Sequence, residues 1–148
     1  MGASTWSYYV PYQRDLSKAL HSLQDEVFAA GDYWWAEPGE YGKTAAAFPD
    51  RPRTEEELWA AESVQESGTH SILDMSHVIP AGTDDGPGTV EPVTPEQALA
   101  ATGTLRPTRE HAKALSDLAA QRWYGRCAVL HDEEGRPAEL YFFGYSGD

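Results

Sequence analysis

The stretch Arg126–Tyr145 constrains the fold of this chain more than any other. It reads Arg-Cys-Ala-Val-Leu-His, then Asp132-Glu-Glu-Gly-Arg136, then Pro137-Ala-Glu-Leu-Tyr-Phe-Phe-Gly-Tyr145. Two apolar runs of strand length around a polar connector containing Gly135 spell a β-hairpin. Neither run alternates cleanly, because Ala128–Leu130 and Leu140–Phe143 are contiguous. Continuous apolar strands have both faces covered. The hairpin is therefore expected at the centre of a sheet, with helices packed against it.

The remaining segments are arranged to supply that cover. Thr5–Tyr12 reads as a first strand, with Trp6, Tyr8, Val10 and Tyr12 on one face and Thr5, Ser7 and Tyr9 on the other. Pro11 ends it or puts its end at a sheet edge. A helix is expected from Asp15 to Ala30, carrying Leu16, Ala19, Leu20, Leu23, Val27 and Phe28 as an apolar stripe and stopped by Gly31. Residues 32–53 show no period and are punctuated by Pro38, Gly39, Gly42, Pro49 and Pro52, which reads as a lid or an insertion. Thr54-Glu-Glu-Glu57 is a capping box that predicts a second helix to about Glu66, ending at Gly68. The β-branched content of Thr69–Ile79 leans toward a strand, and a loop fills roughly 80–93. Thr94-Pro95-Glu96-Gln97 opens a short helix ending before Gly103. Thr108 caps a last one, burying Ala112, Leu115, Leu118 and Ala119, with Trp123 a further candidate for the same stripe. These elements predict one α+β domain over 1–148, a two-layer sandwich. Its sheet is mostly antiparallel, of about four strands, with helices packed on one face.

Composition narrows the function classes. The 148 residues carry a net charge of −13, which argues against nucleic-acid or anionic-membrane partners and leaves cationic ones open. No run of about 18 apolar residues exists to span a membrane. The first residues lack the basic and apolar regions of a signal peptide, and Trp6 stands where a myristoylation motif needs Ser or Thr. The expectation is a cytoplasmic protein. Cys127 is the single cysteine, so an intrachain disulfide and a cysteine-rich metal knuckle are excluded. Scarce Lys beside abundant Ala, Gly, Pro and Arg suggests a high-GC genome.

Several constellations carry a plainer role beside their chemical one. His70, Asp74 and His77 have metal-ligand chemistry. On a strand, however, His70 and Asp74 share a face that His77 does not, and a structural hydrogen bond accounts for the pair more simply. Cys127 with His131 could make a thiolate nucleophile, yet it opens an apolar strand where cysteines are inert. Gly42-Lys43-Thr44 echoes a phosphate-binding loop but has Glu37 where glycine is required. Gly144-Tyr-Ser146-Gly misses the spacing of a nucleophile elbow. Asp84 and Asp85 lack the ligand spacing of a calcium loop. The Glu55–Glu57 run reads as a cap and a solvated face. No cofactor or metal is expected.

Aromatic residues are the stronger signal. Five Trp and eight Tyr cluster at Trp6–Tyr12, Tyr33–Trp35, Trp123–Tyr124 and Tyr141–Tyr145. Tyr33, Trp34 and Trp35 follow a helix exit and cannot all point inward, so at least one should line a groove or lie beneath the loop that follows.

Tyr8-Tyr-Val-Pro-Tyr-Gln13, Gly68-Thr-His-Ser-Ile-Leu-Asp74 and Arg136-Pro-Ala-Glu-Leu-Tyr-Phe-Phe-Gly-Tyr-Ser-Gly-Asp148 resemble segments of a family of small uncharacterised bacterial proteins. The likeness covers the two ends and the middle and implies one complete domain. It brings no activity, ligand or catalytic residue with it.

The functional expectation is a ligand- or partner-binding or regulatory module with an aromatic groove. Tyr8, Trp34, Trp35 and Tyr145 would offer stacking surface, His70 and Asp74 would fix a polar group, and residues 36–53 would form a cover. One alternative is an enzyme on a small polar metabolite, using His70 as a base oriented by Asp74. Another is an acidic partner of a basic protein. The oligomeric state is left open.

Overall fold

The apolar hairpin forms the middle of the sheet. Strands β4 (Tyr124–His131) and β5 (Pro137–Tyr145) pair antiparallel, with Asp132 Oδ1 accepting from the Glu134 and Arg136 amides across the connector. The computed structural model describes residues 4–35 and 43–148, so the expectations placed on residues 36–42 lie outside it. With β1 (Thr5–Pro11), β2 (His77–Val78) and β3 (Thr89–Pro92), the sheet has the order β1-β5-β4-β3-β2. The two long ladders, β1 with β5 and β4 with β5, are antiparallel, while β3 pairs parallel with both β2 and β4. The α+β class therefore stands, with five strands instead of about four.

Period two divides the hairpin between two cores. Cys127, Leu140 and Phe142 join Trp6 on one face, and Ala128, Leu130, Tyr141 and Phe143 meet on the other. Complete burial of side chains such as Leu140 and Phe142 contributes about 1.5–3 kcal/mol each. Helix α1 (Leu16–Ala30) covers the first face, with Asp15 capping its start and Gly31 closing it at φ 69°. Buried Gln24 on this helix donates to the Ile72 and Met75 carbonyls at 3.2 and 2.6 Å. That side chain holds the Thr69–Met75 segment against the sheet. Helix α4 (Pro95–Thr102), opened by the expected Thr94–Gln97 capping box, and α5 (Ala112–Ser116) add a smaller cover on the second face.

Three local expectations are corrected. The second helix is two, α2 (Glu55–Ala60) and α3 (Glu62–Ser67), broken where Ala61 is extended at ψ 126°. Thr54 caps α2 as expected, but Glu57 reaches back to the Arg53 amide instead of the Thr54 amide. Thr69–Ile79 is mostly not strand. Ser71 accepts from the Leu73 amide and starts a 3-10 turn at Ile72–Asp74, which leaves only His77–Val78 to pair. The loop expected at 80–93 contains β3, whose Thr89 and Val90 are buried against the hairpin.

Candidate functional site

The polar centre of the molecule is built from Thr69, Asp74 and Ser146. Gly68, at φ 78°, leaves no room for a side chain, since a Cβ would lie within 2.9 Å of both Asp74 carboxylate oxygens and Ser146 Oγ. This close approach lets Asp74 Oδ1 accept from the Thr69 amide at 2.6 Å and the Thr69 hydroxyl at 2.8 Å. Ser146 Oγ lies 2.8 Å from Asp74 Oδ2 and 3.0 Å from the Ser67 carbonyl, and it accepts from the His70 amide at 3.2 Å. Burial raises the Asp74 carboxyl above its ordinary value, against the opposing pull of Thr69, Ser146 and His70. Asp74 is thus a tie between two chain segments, with both oxygens engaged.

His70 projects from the rim of this tie. It has φ 55°, a left-handed conformation that costs a non-glycine residue about 1 kcal/mol. Its ring stacks on Trp34 with centroids 5.1 Å apart and planes within 11°. The backbone sets this pairing, because the Trp34 amide donates to the Thr69 carbonyl at 2.7 Å. Nε2 of His70 is buried and makes no hydrogen bond among the described residues; the nearest acid is Asp148, with Oδ2 at 3.6 Å. Desolvation works to raise the Asp148 carboxyl, yet the Ser4 hydroxyl and amide and the His70 ring hold it below its ordinary value.

Trp123 is the other described non-glycine residue with positive φ, at 71°. Its amide donates to the Tyr145 carbonyl, and its indole lies so close over Gly147 that a Cβ there would fall 2.0 Å from the ring. Trp59 of α2 leans on it at 6.3 Å. Both strained residues therefore touch the single run Ser146–Asp148, and each brings an aromatic partner to it. Backbone strain of this kind persists where surrounding structure over-determines it and concentrates at functional sites.

Of the residues expected to form a groove, the structure unites Trp34 and His70, both half-buried, above Asp74. Trp35 turns away to meet Phe48 edge-on at 5.8 Å. Tyr8 lies deeper, accepting from the Ile72 amide at 3.4 Å, and burial pushes its hydroxyl up to about 12. Tyr145 packs with the second core, across the sheet from Tyr8. His77 is drawn off by Ser76 and Asp85, at 2.8 and 3.0 Å, so the three candidate metal ligands are dispersed. Among the described residues no group of three or more His, Cys, Asp or Glu could hold a metal ion. Cys127 is buried and its thiol is pushed up to about 12 by desolvation. Trp59, Trp123, Ser146 and Asp148 do not stand out as site residues in the sequence: Trp59 lies in no aromatic run, Trp123 only beside Tyr124, Ser146 in a near-miss of a nucleophile elbow, and Asp148 in no pattern.

No protein-family model matches this chain, and neither the curated proteins nor the solved structures contain a significant match. Fold and site together describe an α+β protein with an aromatic patch around a strained histidine. Among the described residues, no helix is long and apolar enough to cross a membrane.

Proposed function

We propose that this protein is a binding module that recognises a cationic group at the Trp34–His70 and Trp59–Trp123 pairs. The carrying observation is the convergence of two positive-φ aromatic residues on Ser146–Asp148. Half-buried indole faces attract organic cations, and Asp148, with 30% of its side chain exposed, lies beside the His70 ring stacked on Trp34. A net charge of −13 adds a long-range field of the same sign preference. That field suits a small cationic molecule or a basic protein partner, and disfavours nucleic acid and anionic membrane. Catalysis by His70 and Asp74 has less support, since Asp74 spends its oxygens on Thr69 and Ser146 and leaves the imidazole to Asp148.

The indole N–H signals in proton–nitrogen correlation spectra test this reading. Tetramethylammonium should move the Trp34 signal saturably, and its neutral counterpart tert-butanol should not. Equal responses, or none, would sink the proposal. A second reading, an acidic partner of a basic protein, is favoured by the exposed Glu55–Glu57 run at the start of α2. It predicts that an oligolysine peptide shifts the amides of that run and leaves Trp34 unmoved.

A further inference from the structure

Among the described residues, the outer edge of β4 is bare for one residue. Val93 donates its amide to the Cys127 carbonyl at 2.8 Å, and His131 donates its amide to the Pro107 carbonyl at 2.8 Å. Alternate residues of a strand turn their amide and carbonyl to the same side. Val129, between Cys127 and His131, therefore directs its N–H and C=O to that same edge, away from β5. Neither Val93 nor Pro107 bonds to them. The gap has a local cause: Thr94 caps α4 with Pro95 at its first turn, so the chain leaves the sheet after Val93 and returns only at Pro107.

A cavity of about 310 Å³ fills this gap, lined by Val129, Val93, Ala98, Leu105, Pro107 and His131 among others. Its walls are mostly apolar, and the Thr94 hydroxyl in the lining is already used to cap the Gln97 amide. His131 Nδ1 also lies 3.1 Å from the Pro107 carbonyl, which can only accept, so Nδ1 carries the hydrogen. Ring and amide together pin Pro107, and the cavity is preformed. Leu105 stands at its rim with 57% of its surface exposed.

We infer that this cavity is a binding site for a small apolar cyclic amide. In such a ring the N–H and C=O are held side by side. They match the Val129 pair, donating to its carbonyl and accepting from its amide, while the ring methylenes cover Ala98 and Leu105. An extended peptide fits less well, because Val93 and Pro107 close the edge after a single residue. This site is separate from the indole patch and does not depend on it.

Titration of the full chain with ε-caprolactam, followed by backbone amide shifts, tests the assignment. Saturable shifts are expected at Val129, His131 and Leu105 at millimolar concentration. N-methylcaprolactam, which cannot donate, should bind about tenfold more weakly. Leu105→Asp, a change at an exposed position, should weaken the lactam as well. Equal binding of the N-methylated compound, undiminished binding by L105D, or no saturable shift would overturn the proposal. So would shifts produced by an extended apolar peptide and not by the lactam.

Discussion

The Ser146 hydroxyl lies 2.8 Å from Asp74 Oδ2, joining two buried groups 72 residues apart in the chain. The bond fixes the exit of β5 to the segment that carries His70. Asp74→Ala would strand the Thr69 amide and hydroxyl together with Ser146, at a cost of about 2–4 kcal/mol. Asp74→Asn keeps an oxygen for Thr69 and offers its N–H₂ to Ser146, whose hydroxyl can turn to the Ser67 carbonyl. Urea unfolding should place D74N within about 1 kcal/mol of wild type. Equal destabilisation by both variants would contradict this account of the network.

Stability should also carry the signature of that carboxyl. Burial raises its folded-state value above the ordinary 3.8, so the native state holds the proton more tightly than the unfolded chain does. Its contribution is then fully present below pH 3.8 and is lost as pH rises through the raised value. Measured against D74N, wild type should lose stability across that interval and stay level above it. A gap between the two proteins that ignores pH there would mean Asp74 titrates as an ordinary surface acid.

Gly144 and Gly125 are cross-strand neighbours, and together they make the slot for the Trp6 indole. A Cβ on Gly144 would lie 2.5 Å from Trp6 Cζ2 and 2.6 Å from the Tyr124 carbonyl. Gly144→Ala should cost about 3 kcal/mol, as overpacking in a rigid core does. Trimming the indole in a G144A/W6L double variant should recover part of the loss in a thermal melt, because the two sites share one space. Strict additivity would place the strain elsewhere.

Cys127 should be slow to react. Its thiol is buried and pushed up to about 12, so almost no thiolate exists at neutral pH. Iodoacetamide should label the folded protein far more slowly than the chain in denaturant. Comparable rates would expose Cys127 and reopen a nucleophilic role.

Much of the fold was legible because its signals are local. Asp15, Gly31, Thr94 and Gly103 mark helix ends by their own chemistry, and the hairpin announces itself by contiguous apolar runs. What escaped depends on distant partners. Thr69–Ile79 has the residue types of a strand, but Thr69 and Ser71 bond to one another at 2.6 Å and the segment curls over Asp74. Strand β3 hides in a loop-like sequence because its pairing is parallel and ends at Pro92. The site was harder still. Tyr8 and Tyr145 looked equivalent in the sequence, yet the register pairing Tyr8 with Phe142 puts Tyr145 on the opposite face. Ser146 belongs only to a near-miss of a nucleophile elbow and Asp148 to no motif; only the folded chain brings them to His70.

Calorimetric titration of wild type and Trp34→Leu with tetramethylammonium tests the binding reading most directly. Removing the indole should weaken the cation by about tenfold or more while leaving the melting temperature nearly unchanged. Identical affinities in the two proteins would show that the Trp34–His70 stack is packing alone.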